Sequence, residues 1–244
     1  PQEVCKKFGA DILRLWVAST EYTADVRIGE QILNQNAEAY RKIRNTFKFL
    51  LGNLSNGADS TFTLADVQTE FEPLDTYMLA RLEQVKNKVI NYYENYNFQL
   101  ALQEILTFLS TDLSSFYLDF AKDILYCNDK KSKRRLQIQT VIFNCYDTLL
   151  RLLNPVIPYT MDEALNSFNL YGAKNAQMLD FPKVTHEYGE EILNEYKWIL
   201  KLRADVLKGI EIVRRNNEIG SAQQASVIIE VKDENNYLDK YYAD

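Results

Sequence analysis

The chain has 244 residues, 46% of them hydrophobic and 25% charged, so it is long and apolar enough to bury a core. Its 28 basic and 34 acidic residues give a formal net charge of −6, which taken alone disfavours a nucleic-acid partner. No run of about 18 apolar residues occurs, and the opening PQEVCKK lacks the apolar stretch of a secretory signal. We therefore expect a cytoplasmic protein without a membrane segment.

Four apolar stripes predict the body of the protein. Each repeats at intervals of three and four residues, as the buried face of an amphipathic helix does. The stripes run through residues 37–54, 78–96, 98–120 and 138–152. Thr160 followed by Glu163 has the pattern of a capping box, which predicts a short helix beginning there. Long helices with short connections favour an antiparallel helix bundle, so the predicted fold class is all-α.

The pattern changes toward the C-terminus. Residues 171–185 hold few apolar residues in phase, which predicts a linker. A further helical stripe follows over residues 192–213, and apolar residues alternate over 227–231 as in a strand. We therefore expect a small α/β piece at the C-terminal end. Because a single strand is not stable alone, its partners lie outside this chain or the tail is loose.

The sequence lacks a recognisable catalytic constellation. None of its 8 glycines stands in a phosphate-loop spacing, and no nucleophile has a nearby histidine. The 3 cysteines are widely spaced, which predicts reduced thiols rather than a disulfide framework or a zinc site. We expect no catalytic residue and no metal ligand.

Basic residues are concentrated in two places. Residues 37–53 contain four bases and one acid, and residues 129–135 contain five bases and one acid. Residues 66–75, here called the acidic segment, contain four acids and no base. Since binding depends on where charge lies, the net charge does not exclude RNA.

The first basic group forms a helical stripe that flanks the apolar one. Arginine forks suit phosphate oxygens, and an asparagine suits a base edge. The second group lies at a predicted helix start, where five bases are electrostatically unfavourable and indicate an external anion. Ordinary surface bases are the alternative for the first group, and a solvated turn for the second. The candidate RNA-binding residues are Arg41, Arg44, Asn45, Lys48, Lys130, Lys131, Lys133, Arg134 and Arg135.

Several segments resemble one protein family in the same order. YRKIRNTFKFLLGNL at 40–54, DLSSFYLDFAKDILYC at 112–127, NPVIPYTMDEA at 154–164 and RRNNEIGSAQQASVII at 214–229 resemble the anticodon-binding region of bacterial isoleucyl-tRNA synthetases. GADILRLWVAST at 9–20 is similar to the family's segment just after the KMSKS loop of the catalytic domain. We therefore expect a piece of a longer chain.

The resemblance implies a tRNA-recognition module of an enzyme that joins isoleucine to tRNA(Ile) with ATP and Mg²⁺. Its implied partners are the anticodon stem-loop and the catalytic domain of the same parent chain, in a monomer. The HIGH and KMSKS signatures are absent, so this piece is expected to bind tRNA without catalysis and without a cofactor of its own. Zinc belongs to a cysteine-rich C-terminal module that many members carry and this sequence lacks. The alternative is a helical protein-interaction scaffold that does not bind RNA.

The same resemblance gives the expected domain division. Residues 1–27 form a strut from the end of the catalytic domain, and residues 28–170 form the anticodon-binding bundle. Residues 171–185 form the linker, and residues 186–244 hold the long helix and strand that begin the C-terminal region.

Overall fold

The computed structural model describes residues 1–23, 25–55, 61–184 and 189–229. The chain divides into two compact units, Pro1–Tyr188 and Gly189–Asp244. The predicted all-α class is confirmed, and no described helix is long and apolar enough to cross a membrane. In chain order the helices are α1 Gln2–Phe8, α2 Ala10–Ser19, α3 Glu30–Leu54, α4 Pro73–Glu94, α5 Phe98–Thr107, the π-helix Phe108–Tyr117, α6 Leu118–Cys127, α7 Lys133–Leu153, α8 Pro158–Ser167 and α9 Glu190–Arg215.

Helix α7 is the central element of the first unit. It packs against α3, α4, α6 and α8, and it buries residues around most of its circumference. Two of its buried polar side chains bond the backbone of other segments: Gln139 donates to the carbonyl oxygen of Asn53 at 2.7 Å, and the Thr140 hydroxyl accepts from the Gln68 N–H at 3.0 Å. These bonds satisfy groups that would otherwise be costly to bury.

The turn between α4 and α5 has the geometry of a Schellman motif. Tyr96 has a φ of 60°, in the left-handed region, although it is not a glycine. The N–H of Asn97 donates to the carbonyl of Tyr92 at 2.8 Å, and the N–H of Tyr96 donates to the carbonyl of Tyr93 at 3.1 Å. These bonds satisfy the last carbonyls of α4 and return the chain along α5.

The third predicted stripe is interrupted by the π-helix, which rotates the helical face that follows. A continuous α-helix would have placed Phe116 and Phe120 against the core. Instead Tyr117 is fully buried and Phe120 is 46% exposed. Each turn of a π-helix contains more residues, because its hydrogen bonds span five residues instead of four. The buried face therefore moves by one residue, from Phe116 to Tyr117.

Helix α2 lies against the bundle, and α1 contacts α2. Ile12 and Leu15 of α2 are buried, and Arg14 donates to the carbonyl oxygens of Val156 at 2.9 Å and Pro155 at 2.8 Å. Two apolar side chains of the segment at 9–20 are therefore buried, whereas Val17 is 59% exposed.

The predicted start of α8 at Thr160 is wrong. The helix begins at Pro158, whose fixed φ suits the first helical position. Thr160 is capped from another helix: its N–H and its hydroxyl donate to one Asp11 carboxylate oxygen at 2.8 and 2.6 Å. A carboxylate from α2 thus satisfies a free N–H in the first turn of α8.

The segment predicted as a linker is partly packed on the bundle. Ala176 is fully buried, its N–H donates to Asp162 at 2.9 Å, and its carbonyl accepts from Asn154 at 3.1 Å. Residues 185–188 lie outside the described residues, so the domain division stays a prediction.

In the second unit, α9 is followed by a short 3-10 turn, Ala222–Gln224, and an extended run to residue 229. The strand predicted over residues 227–231 is not formed in the described part of that run, and Val231 lies outside it. A strand needs a hydrogen-bonded neighbour, and the described residues supply none.

Candidate nucleic-acid interface

The outward face of α3 carries the first group of predicted site residues. Arg41 pairs with Glu38 one turn earlier, and 63% of its side chain is exposed. Arg44 makes a two-pronged ion pair with Glu163 of α8, at 2.6 and 2.9 Å, so that α3 and α8 are joined at this point. The hydrogen bond from Arg44 lowers the pKa of Glu163 below its ordinary value. The guanidinium of Arg44 is therefore held in a fixed position by Glu163. A phosphate group can accept the same two parallel hydrogen bonds from an arginine.

Two depressions meet on this face. The first has a volume of about 450 Å³, lies between α3 and α8, and is lined by Arg44, Asn45 and Lys48 among others. The second has a volume of about 580 Å³ and lies between α3, the end of α6 and the start of α7. We call it the α3–α7 depression; its polar and aromatic lining consists of Asn45, Lys48, Phe49, Asn53, Tyr126, Lys130 and Arg135.

Asn45 and Lys48 line both depressions, so the structure brings members of the two predicted groups onto one surface. Five predicted site residues share this surface, and four lie elsewhere. Those on the surface are Arg44, Asn45, Lys48, Lys130 and Arg135; the others are Arg41, Lys131, Lys133 and Arg134.

The basic start of α7 is partly neutralised from within the chain. Lys131 pairs with Asp66 at 2.8 Å, and Lys133 pairs with Glu70 at 2.6 Å. Burial alone would raise the pKa of Asp66, but hydrogen bonds from Lys131 and Thr63 lower it. The hydrogen bond from Lys133 likewise lowers the pKa of Glu70. This helix start was predicted to attract an external anion. Two carboxylates of the acidic segment neutralise two of its five cations instead.

Arg134 is held more deeply. It pairs with Asp75, whose side chain is fully buried and which also accepts a hydrogen bond from the Tyr117 hydroxyl at 2.7 Å. Burial, followed by the neighbouring charge of Asp75, raises the pKa of Tyr117 well above its ordinary value. The three side chains join the π-helix, the start of α4 and the start of α7. Sequence reasoning missed this cluster, because its members are far apart in the chain.

Arg135 differs from its neighbours. The residue is only 7% exposed, and one of its terminal nitrogens donates to the carbonyl oxygen of Asn128 at 3.3 Å. Its Nε is buried without a hydrogen-bond partner in the described part of the chain, where no ion pair to Arg135 occurs either. Unpartnered buried polar atoms are uncommon, so this one requires an explanation.

The described residues contain no group of three or more His, Cys, Asp or Glu side chains that could hold a metal ion. Their exposed polar groups suit binding by charge, hydrogen bonding and stacking.

Comparison with known proteins decides the family. Residues 75–229 match the anticodon-binding domain of tRNA ligase. The chain belongs to this family. Isoleucine–tRNA ligase 1 of Oceanobacillus iheyensis is 41% identical over 235 residues, which cover 96% of this chain and 25% of that protein. Isoleucine–tRNA ligase of Bacillus cereus is 42% identical over 231 residues, covering 94% of this chain and 25% of that protein.

The resemblance predicted from the four sequence segments is thereby confirmed. The chain spans about a quarter of the length of these curated relatives. Among solved structures, the chain resembles a LeuRS of Agrobacterium radiobacter crystallised as a ternary complex with tRNA and LeuAMS. The TM-score is 0.55 at 17% identity, and the match covers 77% of this chain and 21% of that one. This likeness confirms the helical fold.

Proposed function

We propose that the chain is the tRNA-recognition part of an isoleucine–tRNA ligase, the enzyme that joins isoleucine to tRNA(Ile) with ATP and Mg²⁺. The observation that carries this proposal is the match of nearly the whole chain to isoleucine–tRNA ligases, combined with the match of residues 75–229 to the anticodon-binding domain. Its partners are the tRNA(Ile) anticodon stem-loop and the catalytic domain of the same parent chain. The proposed site is formed by the predicted residues that line the two depressions: Arg44, Asn45, Lys48, Lys130 and Arg135.

The arrangement of these residues supports RNA as the partner. Arginine and lysine side chains meet Asn45 and the exposed ring of Tyr126 on one surface, and unpaired bases offer both edges and faces to such groups. A protein-interaction scaffold has no need of concentrated positive charge on one face of an otherwise acidic chain.

The test is binding of a labelled tRNA(Ile) anticodon stem-loop to the purified chain, followed by fluorescence anisotropy over a range of salt concentrations. We expect saturable binding that weakens steeply as salt rises, because each phosphate contact releases counterions. A stem-loop with a different anticodon serves as the control. Absence of binding, or binding that salt does not affect, would instead support the scaffold.

This chain alone is expected not to activate isoleucine. Stabilising the charge that develops at ATP phosphates needs positioned cations or backbone dipoles, and the sequence contains no phosphate loop for them. The measurement is isoleucine-dependent pyrophosphate exchange with ATP. Exchange that exceeds a contamination control would contradict this part of the proposal.

A further inference from the structure

We infer that the α3–α7 depression binds one nucleotide of an unpaired RNA segment, with its phosphate between Lys48, Lys130 and Arg135 and its base on Tyr126. This inference rests on the proposed function for the kind of ligand, and it assigns the contact to one place. It also distinguishes Lys130 and Arg135, which line the depression, from the neighbouring Lys131 and Lys133, which are paired with acids.

Arg135 is buried without an acidic partner among the described residues; one of its terminal nitrogens bonds only the Asn128 carbonyl oxygen. A guanidinium is always charged, and burying it without an opposite charge is unfavourable. Arg135 is 7% exposed, its Nε has no hydrogen-bond partner among the described residues, and its side chain lines the depression. An anion bound in the depression would supply the missing counter-charge.

Arg135 lies at the start of a long helix. It lies in the first turn of α7, which spans 21 residues and begins after Ser132. Free N–H groups and the helix dipole make such a position favourable for an anion. The Ser132 hydroxyl occupies one of these N–H groups by accepting from the Arg135 N–H at 3.4 Å. The buried guanidinium therefore adds to a field that is already positive.

Two further cations line the depression. Lys48 and Lys130 are exposed, and neither has an ion-pair partner in the part of the chain that the structure describes. In contrast, Lys131 and Lys133 on the same helix start are paired with Asp66 and Glu70. Cations without acidic partners can contact a phosphate without first breaking an internal pair.

An aromatic side chain in the depression favours a nucleotide over a free anion as the ligand. Tyr126 ends α6 with 67% of its surface exposed, and it lines the same depression. An exposed aromatic ring beside a cation cluster is the usual arrangement for stacking an unpaired base. The volume of about 580 Å³ is in the range of small-ligand sites. Asn45 on the rim can donate to and accept from a base edge.

The experiment compares matched variants of the whole chain. Lys48→Ala, Lys130→Ala and Tyr126→Ala change the site, and Lys131→Ala and Lys133→Ala remove the same charge from the paired neighbours. All five residues are exposed, so the variants should fold, which circular dichroism will check. The probes are the anticodon stem-loop, a fully paired RNA duplex, and single-stranded oligo-uridine.

We expect Lys48→Ala and Lys130→Ala each to reduce the slope of log affinity against log salt by roughly 0.7–1 for both unpaired probes. Tyr126→Ala should weaken these complexes about fivefold or more and leave binding of the paired duplex unaffected. Lys131→Ala and Lys133→Ala should change affinity by less than about twofold, because both lysines lie outside the depression, where Asp66 and Glu70 compensate their charge and salt screens it.

The outcomes separate this inference from the proposed function. One possible result is that the stem-loop binds the wild type and is weakened by Lys131→Ala and Lys133→Ala but by none of the three site variants. That result would overturn the inference and keep the proposed function. Site-dependent binding of oligo-uridine without binding of the stem-loop would keep the inference and overturn the function. No binding of any probe would overturn both.

Discussion

Removing the buried carboxylate of Asp75 should destabilise the first unit far more than removing an exposed carboxylate of the same segment. Asp75 is fully buried, pairs with Arg134 and accepts from Tyr117 at 2.7 Å. Asp75→Ala leaves a partly buried guanidinium and a buried hydroxyl without their partner. Breaking a buried ion pair by removing one member typically costs about 3–5 kcal/mol.

The value for Asp75→Ala should lie near the lower end of that range. The Arg134 side chain is 23% exposed, so water can solvate part of its charge after the substitution. We therefore expect a loss of about 3 kcal/mol in the free energy of unfolding. For a unit of this size the melting temperature should fall by roughly 6–12 °C. Tyr117→Phe removes one hydrogen bond to a charged acceptor and should cost about 1.5–3 kcal/mol.

The matched control is Glu70→Ala. Glu70 pairs with Lys133 at 2.6 Å, but the two side chains are 77% and 65% exposed. Water replaces such a pair readily, so we expect no measurable change in stability. Urea and thermal unfolding, followed by circular dichroism, give both values. If Asp75→Ala and Glu70→Ala have equal effects, burial does not determine the strength of these pairs and the reasoning is wrong.

Two further predictions concern the acid stability of the bundle and the reactivity of its thiols. Because Arg44 lowers the pKa of Glu163 below 4.5, the pair stabilises the fold above that pH and its contribution is lost as pH falls through the lower folded value. The melting curves of wild type and Glu163→Gln should therefore differ above pH 4.5 and converge in more acidic buffer; a gap that stays constant with pH would contradict this. Burial raises the pKa of the Cys145 thiol, whereas Cys127 is exposed, so a thiol reagent should label Cys127 at once and Cys145 only after unfolding. Rapid labelling of both in native buffer, measured by mass spectrometry, would show that the core opens readily.

The helices were predictable because their signal is local. The stripes over residues 37–54 and 138–152 repeat at the helical period, and they became the buried faces of α3 and α7. The shift of the buried face from Phe116 to Tyr117 was not predictable in the same way. It depends on a π-helix, which no residue pattern in the segment marks, and which is stabilised only once the surrounding helices have packed.

The candidate site was predictable in composition but not in pairing. The opposite charges of the acidic segment and the α7 start were visible, yet their pairing joins residues 59 to 65 positions apart. Periodicity says which face of a helix a side chain occupies, but it does not say which distant segment covers that face. The two basic groups were each recognised, whereas the contribution of Lys48 and Lys130 to one depression required the fold.

The distribution of ion pairs explains how an acidic chain can present a basic surface. The acidic segment lies beside the start of α7. There Asp66, Glu70 and Asp75 form ion pairs with Lys131, Lys133 and Arg134. Those acids contribute to the net charge of −6, but each is neutralised by a cation within about 3 Å. On the other side of the same helix start, Lys130 and Lys48 border the α3–α7 depression. At physiological salt, charges more than about 8 Å away are largely screened, so a phosphate at this depression responds to its nearest cations and not to the average charge of the chain.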